Sequence, residues 1–171
     1  VPDDAVSAYK DAWSDIAHRI VGESALEWKE VTCEAQATLP NLTEMIGAGN
    51  EGNIVKLRIK GSINSYDMMV MRNKMVNLRE LDLTDATIIA NTYNYGTGVS
   101  EDNVFPDFMK GKPLTKLMLP TSITRIGNDA LRDCYNIKSI TIPATVTSIG
   151  GYAFSDCAAL NSVEIPENSQ L

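Results

Sequence analysis

Two successive stretches of this chain are near copies of one another, and that constrains its fold more than any other feature. Residues 114–136 read LTKLMLPTSITRIGNDALRDCYN and residues 137–159 read IKSITIPATVTSIGGYAFSDCAA, a period of 23 residues. Seven positions are identical: Pro120/Pro143, Thr124/Thr147, Ile126/Ile149, Gly127/Gly150, Ala130/Ala153, Asp133/Asp156 and Cys134/Cys157. A third copy opens at Leu160 as LNSVEIP and stops at Leu171, about half way through. Upstream, the pattern L-x-x-L-x-L recurs at Leu78, Leu81 and Leu83 and, more loosely, at Ile54, Leu57 and Ile59. The central apolar positions are therefore Leu57, Leu81, Leu117, Ile140 and Val163, spaced by 24, 36, 23 and 23 residues. A unit this short cannot bury an apolar side alone, so neighbours must stack. The reading is a solenoid whose coils each give a short strand and return through a helical or irregular segment.

The string L-x-x-L-x-L-P-x-S-[IV]-T-x-I-G-x-x-A-[FL]-x-x-C over Leu114 to Pro166 resembles the BspA-like, or Treponema-type, leucine-rich repeat of bacterial surface proteins. Upstream, Ile59 to Asp67 and Met71 to Leu83 are similar to the leading coils of such proteins in Bacteroides-type bacteria. Leu131 stands where the repeat usually has Phe, and the segment around Phe105, Pro106 and Phe108 only approximates one repeat. The resemblance implies an α/β repeat fold, a right-handed leucine-rich-repeat solenoid of about five coils. It implies an exported protein at the cell surface or outside the cell, acting by adhesion or protein recognition, with host matrix or surface proteins as partners.

Residues 1–24 depart from the pattern. Asp3 or Asp4 can cap a helix in which Val6, Tyr9, Trp13, Ile16 and Ile20 recur at helical spacing, with Gly22 as its stop. Its expected role is to cover the end of the stacked core, and the other reading is a docking helix presenting Trp13. The expected organisation is a helical cap over 1–24 and a solenoid over 25–171 with its last repeat incomplete. Val1 in place of Met leads us to expect a targeting segment removed or left out ahead of it.

Composition removes several function classes. The 22 Asp and Glu outnumber the 15 Lys and Arg, and no basic run occurs, which argues against nucleic acid or an anionic membrane as partner. Apolar runs are a few residues long, far short of the ~20 that span a bilayer. His18 is the only histidine and falls in the expected cap, so a base beside a nucleophile has no candidate in the repeats. Cys33, Cys134 and Cys157 lack metal-ligand spacing. Cys134 and Cys157 hold one position in adjacent coils and are read as stacked free thiols, the alternative being an inter-coil disulfide. Met68, Met71, Met75 and Leu78 fall on one helical face, the spacing of a core-facing helix rather than a copper site. Asp129, Asp133 and Asp156 lie in turns, and Glu80 and Asp82 beside basic residues, so no isolated carboxylate pair marks a hydrolase. No enzyme activity, cofactor or metal is expected.

The repeat register assigns the outward side of the sheet residue by residue. Lys56, Glu80 and Lys116 should form one cross-strand row and Arg58 with Asp82 a second, with Met118, Ser139, Thr141, Ser162 and Glu164 the other outward positions. These rows are read either as charge pairing that stabilises the sheet or as a recognition surface. The stretched unit carries 13 extra residues, including Asn91 to Asn103, rich in Tyr, Asn, Gly, Thr and Ser. Tyr93 and Tyr95 are its candidate contact residues, the alternative being that they pack on the adjoining coil. Two further functions stay open: capture of polysaccharide or another nutrient, which needs exposed aromatic platforms, and a structural spacer without its own ligand.

Overall fold

A computed structural model describes residues 27–171, so the expected cap over 1–24, with Trp13 and His18, lies outside the described residues. The strands are β1 (Trp28–Cys33), β2 (Lys56–Ile63), β3 (Glu80–Asp82), β4 (Ala86–Ile88), β5 (Val104–Phe105), β6 (Lys116–Met118), β7 (Arg125–Ile126), β8 (Ser139–Thr141), β9 (Ser148–Ile149) and β10 (Ser162–Glu164). Every ladder between them is parallel. Two short helices interrupt the early units, α1 (Asn41–Ile46) and α2 (Ser65–Asn73).

Alternation drives the strands. In β2, Leu57, Ile59 and Ile63 are buried while Lys56, Arg58 and Lys60 lie on the other side. Leu57 is in register with Leu81, Leu81 with Leu117, and Ile140 with Val163. The repeat spacing translates directly into columns of stacked apolar side chains. A second parallel set forms on the return side, where Phe105 aligns with Ile126 and Ile126 with Ile149. The approximate repeat around Phe105 therefore shares the register of the two clear copies. Phe105 and Phe108 are fully buried with ring centroids 5.1 Å apart.

Repeat identities have conformational causes. Asp133 and Asp156 have φ of 63° and 59°, and Asp129 and Tyr152, also 23 residues apart, have 54° and 57°. The corner needs left-handed backbone, which Asp tolerates better than most residues. A Cβ on Gly150 would meet Asn128 N at 2.5 Å, so that position is glycine because the preceding unit's backbone passes against it. The Cys134 thiol donates to the Met109 carbonyl at 3.2 Å and the Cys157 thiol to the Leu131 carbonyl at 3.1 Å. The repeated cysteine thus ties each unit to the backbone of the unit before it, and all three cysteines are free.

Helix α2 begins at a capping box. Asn64 Oδ1 accepts from Tyr66 N at 2.9 Å, and Asn64 N donates to Asp67 Oδ2 at 3.2 Å. The other Asp67 oxygen accepts from Leu42 N at 2.8 Å, which clamps α1 to α2. Burial raises the Asp67 carboxyl above its ordinary range, although backbone donors at Leu42 and Asn64 oppose the shift. Met68, Met71, Met75 and Leu78 are fully buried, as their spacing predicts, although the helix ends before Met75.

Two features differ from the sequence expectation. β1 pairs with β2 and sets Lys29 beside Leu57 and Val31 beside Ile59, adding a rung ahead of the five central positions. Also, no ladder joins β6 to β8 among the described strands, although Leu117 and Ile140 are 23 residues apart like other stacked positions. At the last unit, Val163 and Ile165 are 46% and 52% exposed, whereas Ile140 and Ile142 are 2% and 0%.

Candidate functional site

The outward side of β1, β2, β3 and β6 is a lattice of charges set by the parallel register. Lys56, Glu80 and Lys116 line up in one row, and Glu30, Arg58, Asp82 and Met118 in the next. Lys56 Nζ lies 3.2 Å from a Glu80 oxygen, and Arg58 Nε donates to Asp82 Oδ2 at 2.7 Å. Glu30 takes Lys60 Nζ at 2.7 Å and Arg58 Nη1 at 3.4 Å. The Arg58 guanidinium also sits 5.1 Å from the Trp28 ring centroid. The candidate residues Lys56, Arg58, Glu80, Asp82, Lys116 and Met118 all belong to this one side.

Their accessibility differs. The Asp82 side chain is 8% exposed beneath Arg58. Its burial pushes the carboxyl up, but donors at Thr84 N and Arg58 outweigh it and hold the group below the usual carboxylate range. Asp82 therefore acts on a partner only through Arg58, whose own charge its carboxylate reinforces. Glu30 is held below the ordinary range by Lys60 and, more weakly, by Arg58. Lys116 is exposed and belongs to none of the ion pairs among the described residues.

The stretched unit closes on itself. Asn103 N donates to Ile88 C=O at 2.9 Å, so residues 89–102 leave and re-enter the stack at one point. Asn91 and Ser100 form an antiparallel bridge, and Tyr95 N donates to Gly98 C=O at 3.0 Å across the tip. This is an ordered excursion rather than an open loop.

Its two tyrosines part company. Tyr93 is half-buried and stacks on Tyr66, with centroids 4.0 Å apart at 15°. Tyr95 is 3% exposed and donates its hydroxyl to Asp107 Oδ1 at 2.7 Å. For Tyr95 the geometry follows the alternative reading, packing on the adjoining coil: burial and the Asp107 bond make it a support of the excursion. Between the excursion and the units that follow lies a cleft of about 520 Å³ of mixed lining, bordered by Thr97, Glu101, Asp107, Arg125 and Asp129 and by Val99, Val104 and Ile126. Glu101 and Arg125 pair at 2.7 Å at this cleft.

Sequence reasoning missed Trp28, Glu30 and Lys60, because β1 lacks the leucine pattern and only its pairing with β2 brings these groups onto the face. The outward position of Lys60 followed from the alternation Leu57, Ile59 and could have been read. Among the described residues no group of three or more His, Cys, Asp or Glu is arranged to hold a metal ion. No helix among them is long and apolar enough to cross a membrane.

Against known families, residues 104–171 match the model described as BspA type leucine rich repeat region (6 copies). The match begins at β5, the approximate repeat, and runs to Leu171. No curated protein matches the chain.

Proposed function

We propose that this chain, which carries a BspA-type leucine-rich repeat region over residues 104–171, is a non-catalytic protein-recognition or adhesion module built as a right-handed solenoid. Repeats of this family are binding modules rather than enzymes and commonly mediate protein interaction. In this reading it acts as an exported protein at the cell surface or outside the cell, and binds through the outward sheet face and the 91–103 excursion.

The observation that carries the reading is the continuous charge lattice from Glu30 to Lys116. It is broad, preformed and mixed in sign, the character of a surface that reads a protein rather than a polyanion. Polysaccharide capture ranks lower because Tyr95 is buried and Tyr93 is already stacked on Tyr66, although Tyr152 and Tyr135 are exposed at 72% and 54%. The test is binding of one preparation to a panel of extracellular matrix proteins and to a glycan array. The module reading expects saturable binding to at least one protein; glycan binding alone supports the polysaccharide reading, and silence on both supports a spacer.

A further inference from the structure

We infer that the parting between β6 and β8 is an anchor slot of the recognition face, which accepts an apolar side chain flanked by a carboxylate from an extended segment of a protein partner. The inference rests on the protein-recognition reading above and adds the chemistry of the segment recognised.

The parting is local. Leu131 N donates to Ala153 C=O at 2.8 Å, Asp133 N to Ser155 C=O at 3.0 Å and Thr147 N to Thr124 C=O at 2.8 Å, so the same two units are fully joined on their return side. Only on the sheet side do the two units lie side by side without ladder bonds. On β6, Lys116 N donates to Arg79 C=O and Met118 C=O accepts from Leu83 N, which leaves the Leu117 backbone groups facing β8. On β8, Lys138 C=O accepts from Ser162 N and Ile142 N donates to Glu164 C=O, which leaves the Ser139 and Thr141 groups facing β6. Both walls therefore carry backbone donors and acceptors without a backbone partner among the described residues, and such groups favour a ligand that brings its own amides.

Over this seam runs a groove of about 410 Å³ bordered by Met118, Pro143, Lys116 and Thr141, with Leu117 and Ile140, 4% and 2% exposed, at its floor. An apolar recess with a polar rim is the form that binding hot spots take. Lys116 sets the charge of the occupant. Lys56, Arg58 and Lys60 on the same face each have a carboxylate within 3.4 Å, whereas Lys116 has none among the described ion pairs. A partner carboxylate beside the apolar anchor would complete the row that Glu80 completes for Lys56.

The experiment is a titration of the ¹⁵N-labelled full chain with three capped hexapeptides of Gly and Ser bearing an adjacent Leu-Glu, Leu-Lys or Ser-Glu pair. The slot predicts amide shifts at Leu117, Ser139 and Thr141 with the Leu-Glu peptide, and binding at least tenfold weaker for the other two. Lys116→Glu, with its spectrum otherwise unchanged, should reverse the order of the Leu-Glu and Leu-Lys peptides. Equal response to all three peptides overturns the inference, as does stillness of those three amides. Shifts at Lys56 to Lys60 or in the 91–103 excursion without shifts in the groove overturn the slot and leave the recognition reading in place. Movement of the groove amides with protein concentration alone would assign the groove to a second copy of this chain instead.

Discussion

Ser65 and Ser100 hold one another by reciprocal bonds: Ser65 N donates to Ser100 Oγ at 3.0 Å, and Ser100 N donates to Ser65 Oγ at 2.6 Å. The two hydroxyls are 3.0 Å apart, and both residues are buried. This clasp joins the first residue of α2 to the returning arm of the excursion, 35 positions later. It turns a long insertion into part of the scaffold. Each serine replaced by alanine should cost about 1 kcal/mol. The double variant should cost less than the sum by at least ~0.5 kcal/mol, since the hydroxyl–hydroxyl bond is already lost in either single change. Denaturant unfolding of the four proteins in the cycle checks this, and strict additivity would show that the clasp is not a unit.

The support role of Tyr95 separates its chemistry from its bulk. Tyr95→Phe removes only the bond to Asp107 and should cost about 1–2 kcal/mol. Tyr95→Ala also leaves a cavity and should cost roughly 3–5 kcal/mol. Tyr93→Ala should cost about 1 kcal/mol, because the residue is only partly buried and its main contact is the stack on Tyr66. The melting temperature should fall most for Tyr95→Ala and least for Tyr93→Ala. Equal small effects would return Tyr95 to the partner-contact role.

The columns Leu57, Leu81, Leu117 and Ile140, Val163 were legible because an apolar residue must recur wherever a layer stacks on its neighbour. The charge rows were legible for the same reason, as the residues between those columns can only face outward. β1 was not, because its place beside Leu57 is taken by Lys29, and only Val31 and Cys33 keep the apolar alternation. The difference between Tyr93 and Tyr95 depends on an acceptor, Asp107, supplied from beyond the excursion, which composition does not reveal. The gap between β6 and β8 leaves no trace in a period that is 23 residues on both sides of it.

Lys112 is an 8% exposed amine whose Nζ donates to Met75 C=O at 3.1 Å. Burial, with Arg72 and Arg79 nearby, lowers its pKa to about 8 from 10.5. The folded state therefore binds this proton less tightly than the unfolded state. The cost is complete below pH 8 and is relieved as pH rises from 8 towards 10.5, so stability gains with pH across that window. One pKa unit is worth ~1.4 kcal/mol, and the lost bond to Met75 offsets about 1 kcal/mol, so Lys112→Met should gain on the order of 2 kcal/mol at pH 7. That gain should shrink or reverse by pH 10. Paired unfolding curves at the two pH values measure it, and a gain independent of pH would contradict the assignment.

The three thiols should react in a defined order. Burial pushes Cys33 and Cys134 up to about 12, while Cys157 is raised less and is only partly buried. In the native protein at pH 8, a thiol reagent should modify Cys157 first and the other two only on unfolding. Unfolded, unreduced protein should titrate as three thiols. Peptide mapping of the modified chain gives the order, and one titratable thiol would establish a disulfide.

The central claim, that the outward face recognises protein, is tested most directly by reversing charge on that face without touching the buried Asp82. Lys60→Glu combined with Lys116→Glu changes two surface cations and leaves the stacked columns and the Arg58 to Asp82 pair in place. Affinity for whichever matrix protein binds the unaltered chain should be measured for this variant at 50 mM and 200 mM salt. The account predicts a loss of at least tenfold at the lower salt, smaller at the higher because exposed charges are screened, with the melting temperature kept within a few degrees. Unchanged affinity in a folded variant would contradict it.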